Sequence, residues 1–394
     1  MSVSPALSWS EWETLCRLRD RPQLLAAIEE SQESELALQK KLRKEFPDEL
    51  VRMGMTLVSC RRKASLKYAD APRLWFDRVG MEQGTHEAIA KHKSQRFHGT
   101  VWDLCSGIGA DSAAIARTCE VVGVDLNPAN ALRASWNSAV WGSKPNFVIA
   151  DAGNIPIGNE LVHIDPDRRQ SGSKRGVKIE DYHPGPEFLT SLARTGRGGA
   201  IKLSPAANFG GKFDETEIEL VSWRGECKEA TVWFGELAGQ SPYRATILPE
   251  NVTLSGDPLE HFADVVPLET YLYDPDPAIV RSGLLDLLAE TEKLGRLDAS
   301  EEYLTSHAPV DSPFVRRFRV IADLPNQPRA IRDYFRNSNY GTLEIKCRHI
   351  PLDVEKLRRE IPLPGDAPCV LFLARLRDKA RAVVAVRDES QKSS

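Results

Sequence analysis

Apolar positions recur at helical spacing through residues 1–97. SWSEWETLCRLRDRPQLLAAIEE and ESELALQKKLRKEF place charges between them, and no alternating β-branched run interrupts, so this stretch predicts a helical domain. From about Thr100 the rhythm changes. The short apolar runs GTVWDLC, EVVGVDL, NFVIAD, LVHIDP and GAIKLS predict five strands, with helices between them at SAAIART, PANALRASWNSAV and PEFLTSLART. Strands alternating with helices are the signature of a parallel sheet wrapped by helices. Two further β-rich runs, EIELVSW and EATVWFGEL, flank RGECK and predict a hairpin.

Residues from about Ala238 to Asp311 are at first Pro-rich and acidic, then carry an amphipathic run, AIVRSGLLDLLAETEKLG. This reads as a connection with one helix packed on the core. Beyond Pro313, RRFRVIA, RAIRDYFRN, TLEIKCR, VEKLRRE, CVLFLAR and RAVVAVR alternate strand, helix, strand, helix and two strands. That order predicts an α+β sandwich resembling a ferredoxin-like module, with helices on one face of an antiparallel sheet. The polar tail RDESQKSS is expected to be disordered. The division expected is a helical domain over 1–97, an α/β core over 98–250, a connecting segment over 251–311 and a final domain over 312–394.

A chain of 394 residues exceeds what one core usually serves, which agrees with several domains, and 41% hydrophobic residues can fill them. No apolar run approaches the roughly 18 residues that span a bilayer. The start, MSVSPALSWSEWE, lacks the basic-then-apolar order of a signal peptide, so a cytoplasmic protein with no membrane partner is expected. The seven cysteines are scattered and never form a CxxC pair, which argues for reduced thiols and against a metal site. Net charge is −4, unevenly spread. From Arg316 to the end there are 17 Lys and Arg against 10 Asp and Glu, a balance of +7 that leaves −11 for the rest. A basic end suits an anionic partner, or is simply a solvated surface. The cluster Arg61, Arg62, Lys63 and Lys67 beside Tyr68 and Trp75 is open to the same two readings.

The candidate chemistry starts at VWDLCSGIGAD, residues 101–111. A strand, a turn containing Cys105, Gly107 and Gly109, and a helix start bring backbone close to a ligand. A dinucleotide would also fit such a turn, but Asp103 just before it would repel a pyrophosphate. Asp103 together with Asp125 at the end of the second strand favours S-adenosylmethionine (SAM). Five βα strands followed by an antiparallel pair resemble the class I SAM-dependent methyltransferases. That resemblance implies that Asp103 faces the methionine ammonium, that Asp125 with Leu126 serves the ribose hydroxyls, and that Asp151 with Ala152 lies near the adenine amino group.

The fourth strand ends in HIDPDRR, residues 163–169. Enzymes that methylate exocyclic or amide nitrogens carry there an Asp/Asn/Ser-Pro-Pro-aromatic motif, whose polar side chain and following carbonyl accept the two amino hydrogens. Asp165 and Pro166 fit. Asp167 replaces the second proline, and Arg168 stands where the aromatic would be, able to stack on a base or hold a phosphate. A structural bridge from Arg168 or Arg169 to Asp165 or Asp167 is the other reading. The loop QSGSKRGVKIEDYHPGPE, with Lys174, Arg175 and Lys178, suits a substrate lid.

HIDPDRR, KIEDYHP, IKLSP, ECKEATVWF and YLYDPDPAIVRSGLL together resemble a bacterial methyltransferase family with a THUMP-like C-terminal domain. Lys202 and Cys227 occupy motif positions there. DRVGMEQGTHEAIAKHKSQRF before the glycine turn is also similar to the trimethylguanosine synthases, whose approach segment folds over the cofactor. This likeness implies Gln83 and Thr85 near SAM, although Thr85 would serve equally as a helix N-cap. The function expected is a SAM-dependent methyltransferase acting on a base amino nitrogen of RNA, such as rRNA or tRNA, and leaning to guanine N2. Asp165, Pro166 and Arg168 are the expected catalytic residues, and Arg168, Arg169, Lys178 and Lys202 the expected substrate contacts. A catalytically degenerate SAM- or RNA-binding protein and a small-molecule methyltransferase are the alternatives.

Overall fold

The computed structural model describes residues 9–168, 179–208, 210–351 and 353–388. Two compact units emerge: Met1–Glu217 with Ala230–Gln240, and Ile218–Glu229 with Ser241–Ser394.

The first unit begins with four helices, α1 (Trp9–Arg19), α2 (Pro22–Glu30), α3 (Glu35–Leu42) and α4 (Asp48–Ala64). Ser34 caps α3 by accepting from the Ala37 amide. Helix α4 carries Asp48 and Glu49 in its first turn and Arg61, Arg62 and Lys63 in its last, the arrangement its dipole favours. Leu15, Leu18, Leu25, Ile28, Leu50, Val51 and Leu57 bury the apolar stripes of α1, α2 and α4 in one core. Gly54 permits the close α2–α4 approach, since a Cβ there would lie 2.9 Å from Ile28 Cδ1. Tyr68 and Trp75 belong to this core, 1% and 8% exposed, so their rings are not free to stack on bases. Arg61 bonds the Leu74 carbonyl and pairs with Glu29. The short helices α5 (Arg78–Gln83) and α6 (Glu87–Ser94) then lead to the sheet.

The sheet of this unit is built from β1 (Thr100–Leu104), β2 (Glu120–Asp125), β3 (Asn146–Ile149) and β4 (Leu161–Ile164), with α7 (Ala110–Ile115) and α8 (Pro128–Val140) in the first two crossovers. A small ladder of β5 (Asp167–Arg168) and β6 (Tyr182–His183) follows, then α9 (Pro186–Thr195) and β7 (Gly198–Leu203). The order β3-β2-β1-β4-β7 is parallel throughout. All of β4 and β7 is buried, and apart from His163 and Lys202 their residues are apolar or glycine.

Strands β8 (Glu217–Trp223) and β9 (Glu226–Gly235) are joined by Arg224 and Gly225, both with positive φ (52° and 79°), a tight turn that makes the expected hairpin. Ala230–Gly235 of β9 lies in the first unit, antiparallel to β7. The sheet is thus Rossmann-like, mostly parallel with an antiparallel last strand, as the sequence leads one to expect.

In the second unit β10 (Tyr243–Leu248) pairs parallel with β8, and β11 (Val252–Gly256) antiparallel with β10. Its other sheet has seven strands in the order β13-β14-β12-β15-β18-β17-β16. These are β12 (Tyr271–Pro275), β13 (Gly295–Arg296), β14 (Leu304–Ser306), β15 (Val315–Pro325), β16 (Tyr340–Cys347), β17 (Ala367–Leu376) and β18 (Lys379–Arg387). Strand β12 pairs with β15, so the segment 251–311 supplies strands to this sheet as well as helices. Its amphipathic run forms two helices, α10 (Pro277–Ser282) and α11 (Leu285–Glu292), because Gly283 adopts φ 76° and ends the first.

Helices α12 (Pro328–Arg336) and α13 (Val354–Glu360) set Ile331, Phe335 and Leu357 against Cys369, Leu371 and Leu373 of β17. Val370, Phe372 and Ala374 face a second core with Phe318 and Tyr303. Strand β17 is therefore covered on both faces. The β16–β17 pair is parallel, joined through α13, and the remaining pairs of this sheet, β12–β14, β12–β15, β13–β14, β15–β18 and β17–β18, are antiparallel. No helix among the described residues is long and apolar enough to cross a membrane. All seven cysteines are free thiols, with Cys60 and Cys369 buried.

Candidate active site

The glycine turn leaves β1 at Leu104 and reaches α7 in five residues, three of them left-handed: Cys105 at φ 59°, Gly107 at 54° and Gly109 at 83°. The two glycines do different work. A Cβ on Gly109 would lie 2.9 Å from the Cα of Ala134 in α8, so this glycine lets two elements touch. A Cβ on Gly107 would meet nothing within 4 Å, so this one leaves open space above the turn. Just before Gly107 the Ser106 hydroxyl is buried without a hydrogen-bond partner. An open space bordered by an unsatisfied hydroxyl is what a close-fitting ligand would complete.

Carboxylates gather round that space. Asp125, at the end of β2, accepts from the amides of Gly107 (2.9 Å) and Asn127 (2.8 Å) and from the Asn130 side chain (3.4 Å). Burial pushes its pKa up to about 6, against the pull of those hydrogen bonds, and the charge on Asp167 adds to the rise. The Cys105 thiol is raised well above its usual range by burial and then by the charges of Asp125, Asp165, Asp103 and Asp167. Four carboxylates act on this one thiol, an environment with an excess of acidic groups. It suits a cationic ligand and would repel a phosphate.

Beneath the turn lies a buried polar chain. Asp103 on β1 stands in register opposite His163 on β4, with its Oδ1 2.6 Å from His163 Nδ1, while its Oδ2 accepts from the Ser112 hydroxyl. His163 Nε2 is 3.2 Å from Lys93 Nζ. The Lys93 ammonium also lies 2.9 Å from Asp111 Oδ1, and Thr85 donates to Asp111 Oδ2 at 2.5 Å. Burial disfavours the charged form of Asp111. The charges of Lys93 and Lys202 and the Thr85 hydroxyl outweigh it and hold the carboxyl below its usual range.

At the end of β4, Asp165 Oδ2 pairs with Lys202 Nζ at 2.6 Å, and the same ammonium donates to the Gln83 carbonyl at 2.9 Å. Lys202 thus ties the approach segment to the end of β4. Pro166 is buried, and Asp167 is exposed within the β5–β6 ladder.

Of the residues singled out from the sequence, Asp103, Cys105, Gly107, Gly109, Asp125, Asp165 and Lys202 converge here. Leu126 is half-buried, and Ala152 is buried beside Asp151, which is exposed and caps a short turn by accepting from the Gly153 amide. Thr85 is not the N-cap of α6. His86 holds that position, and the Thr85 hydroxyl is turned inward to Asp111. Cys227, in the second unit, is half-buried, and burial pushes its thiol up to about 12. The Arg168 side chain, Arg169, Lys174, Arg175 and Lys178 lie outside the described residues. Among the described residues no group of His, Cys, Asp or Glu is placed to hold a metal ion.

The sequence reading missed Lys93, Asp111, Ser112 and the role of His163. Lys93 looks like the solvated basic end of HEAIAKHK, and only the histidine inside an otherwise apolar strand hinted at a buried partner.

Comparison with known proteins agrees with this geometry. A family described as THUMP domain-like matches residues 315–387. The chain is 30% identical over 306 residues to uncharacterized S-adenosylmethionine-dependent methyltransferases from two strains of Mycobacterium tuberculosis, covering 76% of this chain and 84% of theirs. A solved structure from Porphyromonas gingivalis, described as a candidate methyltransferase, superposes with a TM-score of 0.75 at 19% identity. That match covers 93% of this chain and 98% of the other, and it establishes the likeness of fold. The open turn, its ring of carboxylates and these relatives agree: the chain belongs to the S-adenosylmethionine-dependent methyltransferases and carries a THUMP-like domain.

Proposed function

We propose that the protein methylates an amino nitrogen of an RNA base in the cytoplasm, with guanine N2 as the leading target. The observation that carries the cofactor side is the convergence of Asp103, Asp125, Asp165 and Asp167 on the turn at Cys105. In this reading Asp103 faces the methionine ammonium and Asp125, with Leu126, accepts from the ribose hydroxyls. Asp151 and Ala152 border the adenine. Cys105, Gly107 and Gly109 shape the turn, and Thr85 braces it from below. SAM supplies a methyl group on a sulfonium, already activated for displacement.

The chain's own task is then positioning. Lys202 occupies Asp165 Oδ2, leaving Oδ1 to accept one amino hydrogen. The carbonyl that follows accepts the other, which turns the nitrogen lone pair toward the methyl group. Asp165 Oδ1 would then take the proton that the nitrogen gives up on methylation. RNA as the acceptor is supported by the THUMP-like match at 315–387 and by the +7 balance of residues 316–394. Arg168, Arg169 and Lys178 are the proposed contacts to the strand. We further propose the helices of 1–97 and the domain of 312–394 as the parts that grip RNA around the core of 98–250.

The test is nucleoside analysis. Purified protein is incubated with methyl-labelled SAM and total cellular RNA, which is then digested. Label in N2-methylguanosine is expected, and label in another amino-methylated base would move the target atom only. Transfer to metabolites alone would replace the RNA reading with a small-molecule one.

A further inference from the structure

Lys93 and His163 belong to none of the cofactor motifs, yet both are buried below the glycine turn, 1% and 0% exposed. An ammonium carries three protons and no lone pair, so toward a neighbour it can only donate. At 3.2 Å from His163 Nε2 it requires a lone pair there, which puts the proton of the neutral ring on Nδ1. That Nδ1–H points at Asp103 Oδ1, 2.6 Å away. Asp103 is therefore held by two neutral donors, His163 and Ser112, while the charge of Lys93 is matched by Asp111.

The Lys93 ammonium pairs with Asp111 and not with Asp103, so the Asp103 charge has no ammonium within hydrogen-bond reach among the described contacts. We infer that Lys93 and His163 are positioning residues for cofactor binding: Lys93 fixes the Nδ1–H tautomer of His163, and that tautomer orients Asp103 with its charge free for the methionine ammonium. Lys93 lies on α6 and Thr85 just before it, both on the approach segment, and both engage Asp111. The tautomer is consequently set only when that segment is seated, which couples its docking to cofactor affinity. This rests on the assignment of Asp103 to the cofactor.

The test uses the full chain labelled with 15N-histidine, together with calorimetry of S-adenosylhomocysteine. Long-range 15N–1H spectra distinguish a ring protonated at Nδ1 from one protonated at Nε2, and the His163→Asn variant identifies the His163 signals. The unliganded wild type is expected to show the Nδ1–H form. The double variant Lys93→Met with Asp111→Asn removes opposite charges together, so no lone buried carboxylate threatens the fold. It is expected to lose the Nδ1–H preference and to bind the ligand roughly tenfold or more weakly. His163→Asn keeps a donor toward Asp103 and should bind within a few-fold of wild type, whereas His163→Leu should lose about tenfold or more.

A wild-type ring protonated at Nε2, or a double variant that retains both the tautomer and the affinity, overturns the inference. A wild type with the Nδ1–H form that fails to bind S-adenosylhomocysteine counts instead against the cofactor assignment.

Discussion

Replacing Asp125 by Asn removes a charge that burial already disfavours, and its effect has a sign fixed by pH. The folded carboxyl titrates at about 6 against an ordinary 3.8. Between those values the folded protein holds a proton that the unfolded chain has released, so this group's contribution to stability falls as pH rises through the window. The gap converts to about 3 kcal/mol, at roughly 1.36 kcal/mol per pH unit. Below pH 3.8 the penalty is absent, and above about 6 it is complete.

Asparagine abolishes the penalty but can satisfy only one of the two amides, Gly107 and Asn127, that bond separate oxygens, a loss of about 1–3 kcal/mol at every pH. The expected signature is thus a pH-dependent difference, whatever its absolute value. Urea unfolding read by hydrogen exchange in peptides covering 100–140 should show the variant gaining about 3 kcal/mol on wild type between pH 4 and pH 7. A constant difference across that range would refute the reasoning. Ligand binding should move the opposite way: S-adenosylhomocysteine affinity of wild type should fall as the solution is taken below about pH 6, and Asp125→Asn should bind weakly throughout.

Three further outcomes follow from the same geometry. Gly107→Ala has room for its methyl but sits at φ 54°, so it should lose only about 1–2 kcal/mol to left-handed strain in urea unfolding while losing S-adenosylhomocysteine binding in calorimetry, because the methyl occupies ligand space. Gly109→Ala meets Ala134 at 2.9 Å with φ 83° and should be destabilised by about 2–4 kcal/mol in urea unfolding, from overpacking and left-handed strain together. Lys202→Met frees both Asp165 and the Gln83 carbonyl, and should lower kcat by about tenfold or more with S-adenosylhomocysteine affinity within a few-fold, as read by label transfer and calorimetry.

The strands β1 to β4 and β7, the helices α7 to α9 and the order of the C-terminal elements were legible because each carries its period in its own residues. PANALRASWNSAV coincides with α8 because Asn127 caps it and Pro128 starts it. Strands β10 to β14 escaped notice: β13 and β14 are two and three residues long, β12 ends in Asp274 and Pro275, and β10 and β11 fall in the Pro-rich run after Ala238. Glu217 and Glu219 alternate with Ile218 and Leu220, which ordinarily marks a solvated face. Both are fully buried, Glu217 against Arg96 and Glu219 accepting from Thr246 at 2.6 Å.

At the site, Asp103, Asp125 and the glycines could be read because a strand-turn-helix cradle concentrates them in a few consecutive residues. Lys93 could not. Its partners Asp111 and His163 lie far along the chain, and nothing in a helix-end lysine says which way it points. The aromatic-basic cluster at 61–75 stayed open for the converse reason: Tyr68 and Trp75 are core residues, and Arg61 is spent on Leu74 and Glu29.

Label transfer from methyl-labelled SAM to cellular RNA, run beside S-adenosylhomocysteine calorimetry for wild type and Asp165→Ala, tests the placement of donor and acceptor in one measurement. Wild type is expected to label RNA, and Asp165→Ala to bind S-adenosylhomocysteine within a few-fold of wild type but to transfer nothing measurable. An Asp165→Ala variant that labels RNA at the wild-type rate would contradict that placement.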